Sequence, residues 1–428
     1  MKSTTMTSVV AAAMLVTAFT ASALPTVSDV TMSQDSSRKV TISYVLTGED
    51  GIVTVDIQTN FTDEAGIHWV SIGPENLKGF GGDVHRLVQP TTGTERRTMT
   101  WHPDVSWPGE RIDTATARAV VTAWDKKSPP DWMIVHLLAP YDVTYYPFAE
   151  MIPDGITAFK YKTEYMPFRK IPAKGVTYWA GTPATSTDND TNKRHQVLFT
   201  YDYYMAVYEM TVSQFNTYTG TKLDTSSIFP KTHWENYVVT TWRGTGDGAN
   251  WPTYNSDGTL DWTTSHKVAS GSRIDTFRQK TGLEADLPTE AEFDFACRAG
   301  SQGLYYATCA EDREYGYTGP VADLARCSQG ENKKPIEVGT FKPNAWGLYD
   351  MLGNAKEGCL DYYAAFATTY SDQTKVYVDP AGPTGTSGTT ATVFAGGDCQ
   401  WGVSCGVRAN LAKNTYGFDG LRLCVPLR

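Results

Sequence analysis

The sequence predicts an α+β chain of two units, an all-β immunoglobulin- or fibronectin-like sandwich followed by a loop-rich second domain. Three observations predict it. Period-two alternation of apolar residues is confined to the first part, helix-start signals are confined to the second, and all seven cysteines lie after residue 296. The length of 428 residues agrees, because single hydrophobic cores rarely grow beyond ~250–300 residues.

The first residues set the expected compartment. Lys2 precedes an apolar run from Val9 to Phe19, followed by the small-residue site Ala21-Ser22-Ala23. This is the pattern of a secretory signal peptide at 1–23, cleaved after Ala23, and the mature chain is expected to be secreted, periplasmic or at the cell surface. The run is well short of the ~20 residues of a membrane helix, and no later segment approaches that length. A net charge of −10 and a pI near 5.3, with basic residues clustered only as pairs such as Arg96-Arg97 and Lys333-Lys334, exclude a nucleic-acid partner.

The β-sandwich domain is placed at 24–125. Lys39 to Leu46 and Ile52 to Ile57 alternate in period two around the turn Gly48-Glu49-Asp50-Gly51, and Arg96 to Trp101 and Ala115 to Trp124 read as further strands. About 100 residues of short, cysteine-free strands give the sandwich reading. Its histidines, His68, His85 and His102, are isolated and form no catalytic set, which leaves a spacer or adhesion role. Lys126 to Pro130 breaks the pattern with two consecutive prolines. A linker and a segment of uncertain affiliation are assigned to 126–167.

The second domain, 168–428, is rich in Tyr, Trp and Gly. Thr211-Val212-Ser213-Gln214 and Thr289-Glu290-Ala291-Glu292 are capping boxes, in which a threonine hydroxyl caps an amide three residues on and the Gln or Glu reaches back. Phe293, Ala296 and Cys297 then share a stripe, which points Cys297 into the core. Glu290 and Glu292 are explained by the cap rather than by acid–base chemistry. No Gly-x-Ser-x-Gly elbow, His-Glu-x-x-His, Cys-x-x-Cys or Walker loop occurs.

Four ordered segments carry a family resemblance: Phe199 to Thr211, Leu287 to Phe293, Pro343 to Asn354 (Pro-Asn-Ala-Trp-Gly-Leu-Tyr-Asp-Met-Leu-Gly-Asn), and Gly396-Gly397 with Gly420-Leu421-Arg422. From Phe168 to Arg428 the chain resembles the formylglycine-generating enzyme, or sulfatase-modifying factor, family. The resemblance implies a C-type-lectin-like fold with two main helices, small twisted sheets and long ordered loops. Fold does not fix function, so the site residues have to decide.

In the family's enzymes the resemblance implies two thiolates that hold Cu(I), a soft ion suited to sulfur, and activate oxygen to oxidise a sulfatase cysteine. The candidates here are Cys399 and Cys405, spaced C-x5-C rather than the family's C-x4-C, with Cys399 unusually close to Gly397. The resemblance also implies structural bridges: Cys297–Cys424 between the second helix and the last strand, then Cys359–Cys405 and Cys309–Cys327, with Cys399 as the odd thiol. Where relatives read Gly-Asn-x-Trp-Glu-Trp, this chain has Gly353-Asn354-Ala355-Lys356-Glu357-Gly358. Both tryptophans are gone, and Lys356 and Gly358 are expected to leave the pocket open, wider and more polar. A calcium site is expected from the same loop, with Leu352, Gly353, Asn354, Ala355 and Glu357 as oxygen donors. The alternative is that Glu357 only caps the loop.

Two functions follow from these residues. The first is a non-catalytic ligand- or protein-binding module whose surface runs from Asp398 to Asp419, with Trp401, Tyr416, Phe418 and Lys356 as contacts to an exported protein or a glycan. The second is a copper-dependent oxidase that makes formylglycine in an exported sulfatase, which requires Cys399 and Cys405 as free thiols.

Overall fold

The computed structural model of the chain describes residues 23–113, 115–181, 194–220, 222–232, 238–244, 267–303, 305–306, 324–325, 334–363, 370, 372, 374–382, 392–399, 403, 405, 408–411 and 418–428. The leader expected at 1–23 lies, but for Ala23, outside the described residues. Among them, no helix is long and apolar enough to cross a membrane.

The first unit has eight strands: β1 (Thr26–Gln34), β2 (Val40–Thr47), β3 (Gly51–Asp63), β4 (Gly66–Ser71), β5 (Phe80–Gly82), β6 (Arg86–Val88), β7 (Arg97–Trp101) and β8 (Ala117–Trp124). They form one antiparallel sheet in the order β1-β2-β7-β5 and a second in the order β4-β3-β6, with β8 also paired to β3. The period-two pattern is the cause. Val40, Ile42, Tyr44 and Leu46 of β2 are buried on one face and pack with Val53, Val55 and Ile57 of β3, Met99 and Trp101. The polar tips of the buried aromatics are matched: the Trp101 indole donates to the Lys78 carbonyl at 2.8 Å, and the Tyr44 hydroxyl to the Asp83 carbonyl at 2.6 Å.

The second unit begins earlier than residue 168. Strands β9 (Trp132–His136), β10 (Val143–Tyr146) and β11 (Tyr165–Ile171) belong to its main sheet. There follow β12 (Thr177–Ala180), β13 (His195–Leu198), β14 (Asp202–Ala206), β15 (Lys356–Tyr362), β16 (Val376–Val378), β17 (Thr392–Ala395), β18 (Arg408–Leu411), β19 (Asp419–Gly420) and β20 (Cys424–Leu427). The sheets run β10-β9-β11-β14-β20, β12-β13-β16 and β18-β17-β15-β19. The prolines expected to mark a free linker are instead docked. A proline cannot donate, but its carbonyl still accepts, and Pro130 receives the Tyr204 hydroxyl while Pro129 receives Lys170 Nζ at 2.6 Å.

Among the described residues four helices pack on these sheets, α1 (Val212–Thr219), α2 (Val238–Arg243), α3 (Arg273–Thr281) and α4 (Glu290–Arg298). Both capping boxes form as the sequence dictates, with Thr211 capping the Gln214 amide and Thr289 the Glu292 amide. Helix α4 is the most enclosed: every residue from Ala291 to Arg298 is buried. Its charges are answered locally, Arg298 by Asp294 at 2.9 Å and by the Gly181 and Gly303 carbonyls.

The two units meet at His85, whose amide donates to Val53 and whose carbonyl accepts from the Tyr145 amide of β10. The ring stacks on Tyr146 at 4.8 Å and meets the Phe80 edge. Its Nδ1 lies 2.9 Å from the Tyr145 carbonyl, while Nε2 is buried without a hydrogen-bond partner. Burial pushes the imidazole down to about 4, opposed by the Tyr145 carbonyl. A depressed histidine contributes stability that is complete above its unfolded value near 6.5 and is lost as pH falls toward 4, about 3 kcal/mol in all. A His85→Asn variant, whose side chain tolerates the left-handed φ of 55°, is therefore expected to be less stable than wild type at pH 7 and to close that gap on acidification. Denaturant melts of both proteins from pH 7 to pH 4 measure the gap; one that stays constant would mean that His85 does not titrate on unfolding.

Candidate functional site

The loop Leu352–Ala355 leads into β15, and together they enclose a strongly charged part of the interior. Gly353 and Asn354 have φ of 78° and 59°, a left-handed pair that glycine and asparagine tolerate. The turn aims the Asn354 side chain inward, where Oδ1 accepts from the Ile336 amide at 2.8 Å and Nδ2 donates to Glu209 at 2.6 Å. The other Glu209 oxygen accepts the Ala355 amide at 2.8 Å. Glu209 stands in the apolar segment Ala206 to Met210 and is fully buried.

Three residues on from Asn354, Glu357 is gripped by Arg422, whose Nη2 and Nε reach its carboxylate at 2.7 and 2.9 Å. The same guanidinium donates to the Ala206, Val207 and Tyr349 carbonyls, each at 2.9 Å. A third buried carboxylate, Asp350, accepts the Gly339 amide at 2.6 Å through Oδ2, and its Oδ1 has no hydrogen-bond partner. Burial, joined by the charges of Asp350 and Glu357, pushes Glu209 well above the usual carboxylate range. Burial pushes Asp350 up to about 6 against the opposing Gly339 amide and Arg422.

These bonds bear on the calcium set expected at Gly353, Asn354, Ala355 and Glu357. Both side chains of the set are engaged inside the protein, Asn354 at both ends and Glu357 in the fork of Arg422. A calcium ion, which takes six to eight oxygens, would have to compete with these partners for the side-chain donors. Among the described residues, no group of three or more His, Cys, Asp or Glu side chains is arranged to hold a metal ion. The positive charge that the loop requires is the guanidinium.

Lys356 is not the open, solvated residue that the missing tryptophans suggest. It is 7% exposed, and its Nζ lies 3.2 Å from Asp398 and 2.9 Å from Asp419. The reason is its place on β15, between β17 and β19, which turns the side chain to the acidic residues that flank the sheet. Gly358 is buried on the same strand. Phe418 is partly buried, and its carbonyl accepts the Lys356 amide at 3.1 Å. Trp401 and Tyr416 lie outside the described residues.

The cysteines are arranged differently from the expected pairing. Cys297 Sγ, on α4, lies 3.6 Å from Cys405 Sγ, and both residues are buried. Cys405 is thus adjacent to Cys297, where the resemblance implied Cys359, and Cys297 has as its neighbour Cys405, where the resemblance implied Cys424. Cys424 is buried at the start of β20, its amide and carbonyl bonded to Asp286. Burial, then the neighbouring Cys405 sulfur, push the Cys297 thiol well up. Cys359 and Cys399 are buried as well, and the Cys399 amide donates to the Asn354 carbonyl at 3.1 Å. Cys309 and Cys327 lie outside the described residues.

The sequence alone assigns no role to Glu209 or Asp350, marks Asp398 and Asp419 only as the bounds of a surface segment, and marks Arg422 only as part of a family motif. Three of these carry a signal: Glu209 is a lone charge in an apolar run, and Asp350 and Arg422 stand inside the ordered motifs. Which charge meets which is set by tertiary contacts that no local spacing encodes.

Asp350 supplies a direct check on this centre. A carboxyl raised in the folded state contributes stability that is complete below the unfolded value near 3.8 and is lost as pH climbs through about 6. Asp350→Asn is therefore expected to gain stability relative to wild type as pH rises from 4 to 7, by up to about 3 kcal/mol. This trend opposes that of His85 over the same range, so variant-minus-wild-type differences are the quantity to measure. If a calcium ion sits on Asp350, the substitution instead destabilises, and chelator lowers the wild-type melting temperature.

Residues 163–415, more than half of the chain, match the family model described as the sulfatase-modifying factor enzyme 1-like domain. The formylglycine-generating enzyme of Thermomonospora curvata is 31% identical over 140 residues, 29% of this chain and 43% of that protein. The mouse (Mus musculus) formylglycine-generating enzyme is 26% identical over 245 residues, 50% of this chain and 62% of that protein. The chain thus spans less than two thirds of these relatives. Among solved structures, PvdO from Pseudomonas aeruginosa aligns over 60% of this chain and 94% of its own, with 21% identity and a TM-score of 0.41. By the extent of the family match and the ordered motifs that carry it, the chain belongs to the sulfatase-modifying factor enzyme 1-like family.

Proposed function

We propose that this protein is an exported, non-catalytic member of its family, a ligand- or protein-binding module held out by an N-terminal immunoglobulin- or fibronectin-like sandwich. The observation that carries this reading is the 3.6 Å approach of Cys405 Sγ to Cys297 Sγ in the core. An oxidase of this family needs Cys405 as a thiolate shared with Cys399 on one Cu(I) ion. A sulfur already against another cysteine, in a compartment that permits disulfides, is set up to close a structural bridge instead. The burial of Cys399 and Cys405, together with the Lys356 ion cluster next to Cys399, adds to the argument: neither thiol is offered to an incoming peptide. The binding surface of this reading is the segment from Asp398 to Asp419, and its partner an exported protein or a glycan.

The second reading, a copper-dependent formylglycine-generating oxidase acting on a cysteine of an exported sulfatase, rests on the names of the relatives and predicts different sulfur chemistry. Non-reducing peptide mapping of the purified protein, combined with alkylation before and after unfolding, separates the two. The binding-module reading expects a Cys297–Cys405 linked peptide and no stoichiometric Cu(I) binding. Alkylation of both Cys399 and Cys405 in the folded protein, with Cu(I) protecting both, would overturn it.

A further inference from the structure

Lys356 is an amine held between two carboxylates in a nearly water-free place. Nζ is 3.2 Å from Asp398 Oδ2 and 2.9 Å from Asp419 Oδ1, and the three side chains are 9%, 1% and 16% exposed.

The backbone fixes each participant separately. Lys356 and Asp419 are register partners in the parallel β15–β19 pair, and the Lys356 amide is bonded to the Phe418 carbonyl. Asp398 follows Gly396 and Gly397, whose φ of 84° and 72° make a turn, and the turn is tied to the loop before β15 on both sides. The Gly353 amide donates to the Gly396 carbonyl at 2.9 Å, and the Cys399 amide to the Asn354 carbonyl at 3.1 Å. The three groups therefore stay in contact without a bound ligand to hold them. This is the condition under which an intramolecular reaction gains its large effective concentration.

We propose that Lys356 and Asp398 join in an intramolecular isopeptide bond, with Asp419 as the proton shuttle. Asp398, the most enclosed of the three, takes a proton from the lysine ammonium, giving a neutral acid and a neutral amine. The Nζ lone pair attacks Asp398 Cγ, the N–C bond forms, and Asp419 accepts one of the two Nζ protons, leaving the other on nitrogen. Asp419 returns that proton to the departing hydroxyl of Asp398, the C–O bond breaks, and one water leaves. The products are a secondary amide and the Asp419 carboxylate. No oxidant, metal or co-substrate is required. The bond ties β15 covalently to the segment that follows β17 and removes two of the buried charges.

The test is peptide mapping of the full-length protein after reduction and alkylation. The expected result is a branched tryptic peptide that contains both Lys356 and Asp398, one water lighter than the sum of its arms, with no cleavage after Lys356. Lys356→Arg and Asp398→Ala should each abolish it, and Asp419→Asn should reduce its yield severalfold although both bonded residues remain. Recovery from wild type of a peptide ending at Lys356, together with an unmodified Asp398 peptide, would show an ion pair only and overturn the proposal. A branch that persists in Asp398→Ala would overturn it equally. The wild-type measurement decides the matter even where a variant fails to fold.

Discussion

The guanidinium of Arg422 lies among the buried carboxylates Glu209, Asp350 and Glu357 of the second unit, and the arrangement around it depends on that charge. It holds Glu357 through a two-point fork and donates to three backbone carbonyls, those of Ala206 and Val207 at the end of β14 and of Tyr349 before the Gly353-Asn354 turn. The segment before β20, the end of β14 and the central loop are thereby fixed to one planar group, a geometry that arginine supplies and lysine does not. Without it, Glu357 would be a buried charge with no counterion, and Glu209 and Asp350 would lose the nearest field that offsets their own.

From that centre the rest of the site follows outward. Glu357 fixes the register of β15, and register fixes the direction of its neighbours, since successive side chains on a strand face opposite ways. Lys356 therefore turns to Asp398 and Asp419 rather than to solvent. The Gly396-Gly397 turn comes close to the same loop: a Cβ at Gly396 would lie 3.1 Å from the Met351 carbonyl and 3.2 Å from the Phe293 ring. This packing brings α4 and the cysteine-bearing segment together, and with them Cys297 and Cys405.

Local features of this architecture were legible in the sequence. The alternating runs of β2 and β3, the caps at Thr211 and Thr289, and the inward course of Cys297 all depend on residues within a turn or two of each other. The motifs around Pro343 to Asn354 and Gly420 to Arg422 were legible by resemblance. The rest depends on meetings between distant segments. Lys356 read as a surface residue because its two carboxylates are 42 and 63 positions away. Cys405 could be assigned to several cysteines on spacing alone, and only the packing of α4 selects Cys297. The segment 126–167 looked unattached because β9 and β10 join the main sheet through β11, whose later residues, Phe168 to Ile171, pair with β14.

The central claim is that Arg422 and Glu357 act as one unit, and a double-mutant cycle of Arg422→Met and Glu357→Gln, followed by equilibrium unfolding at pH 7, tests it directly. The account predicts about 3–5 kcal/mol lost in each single variant and a double variant that loses far less than the sum, because the second change removes the charge that the first left unpaired. Single losses below about 0.5 kcal/mol that simply add would contradict it.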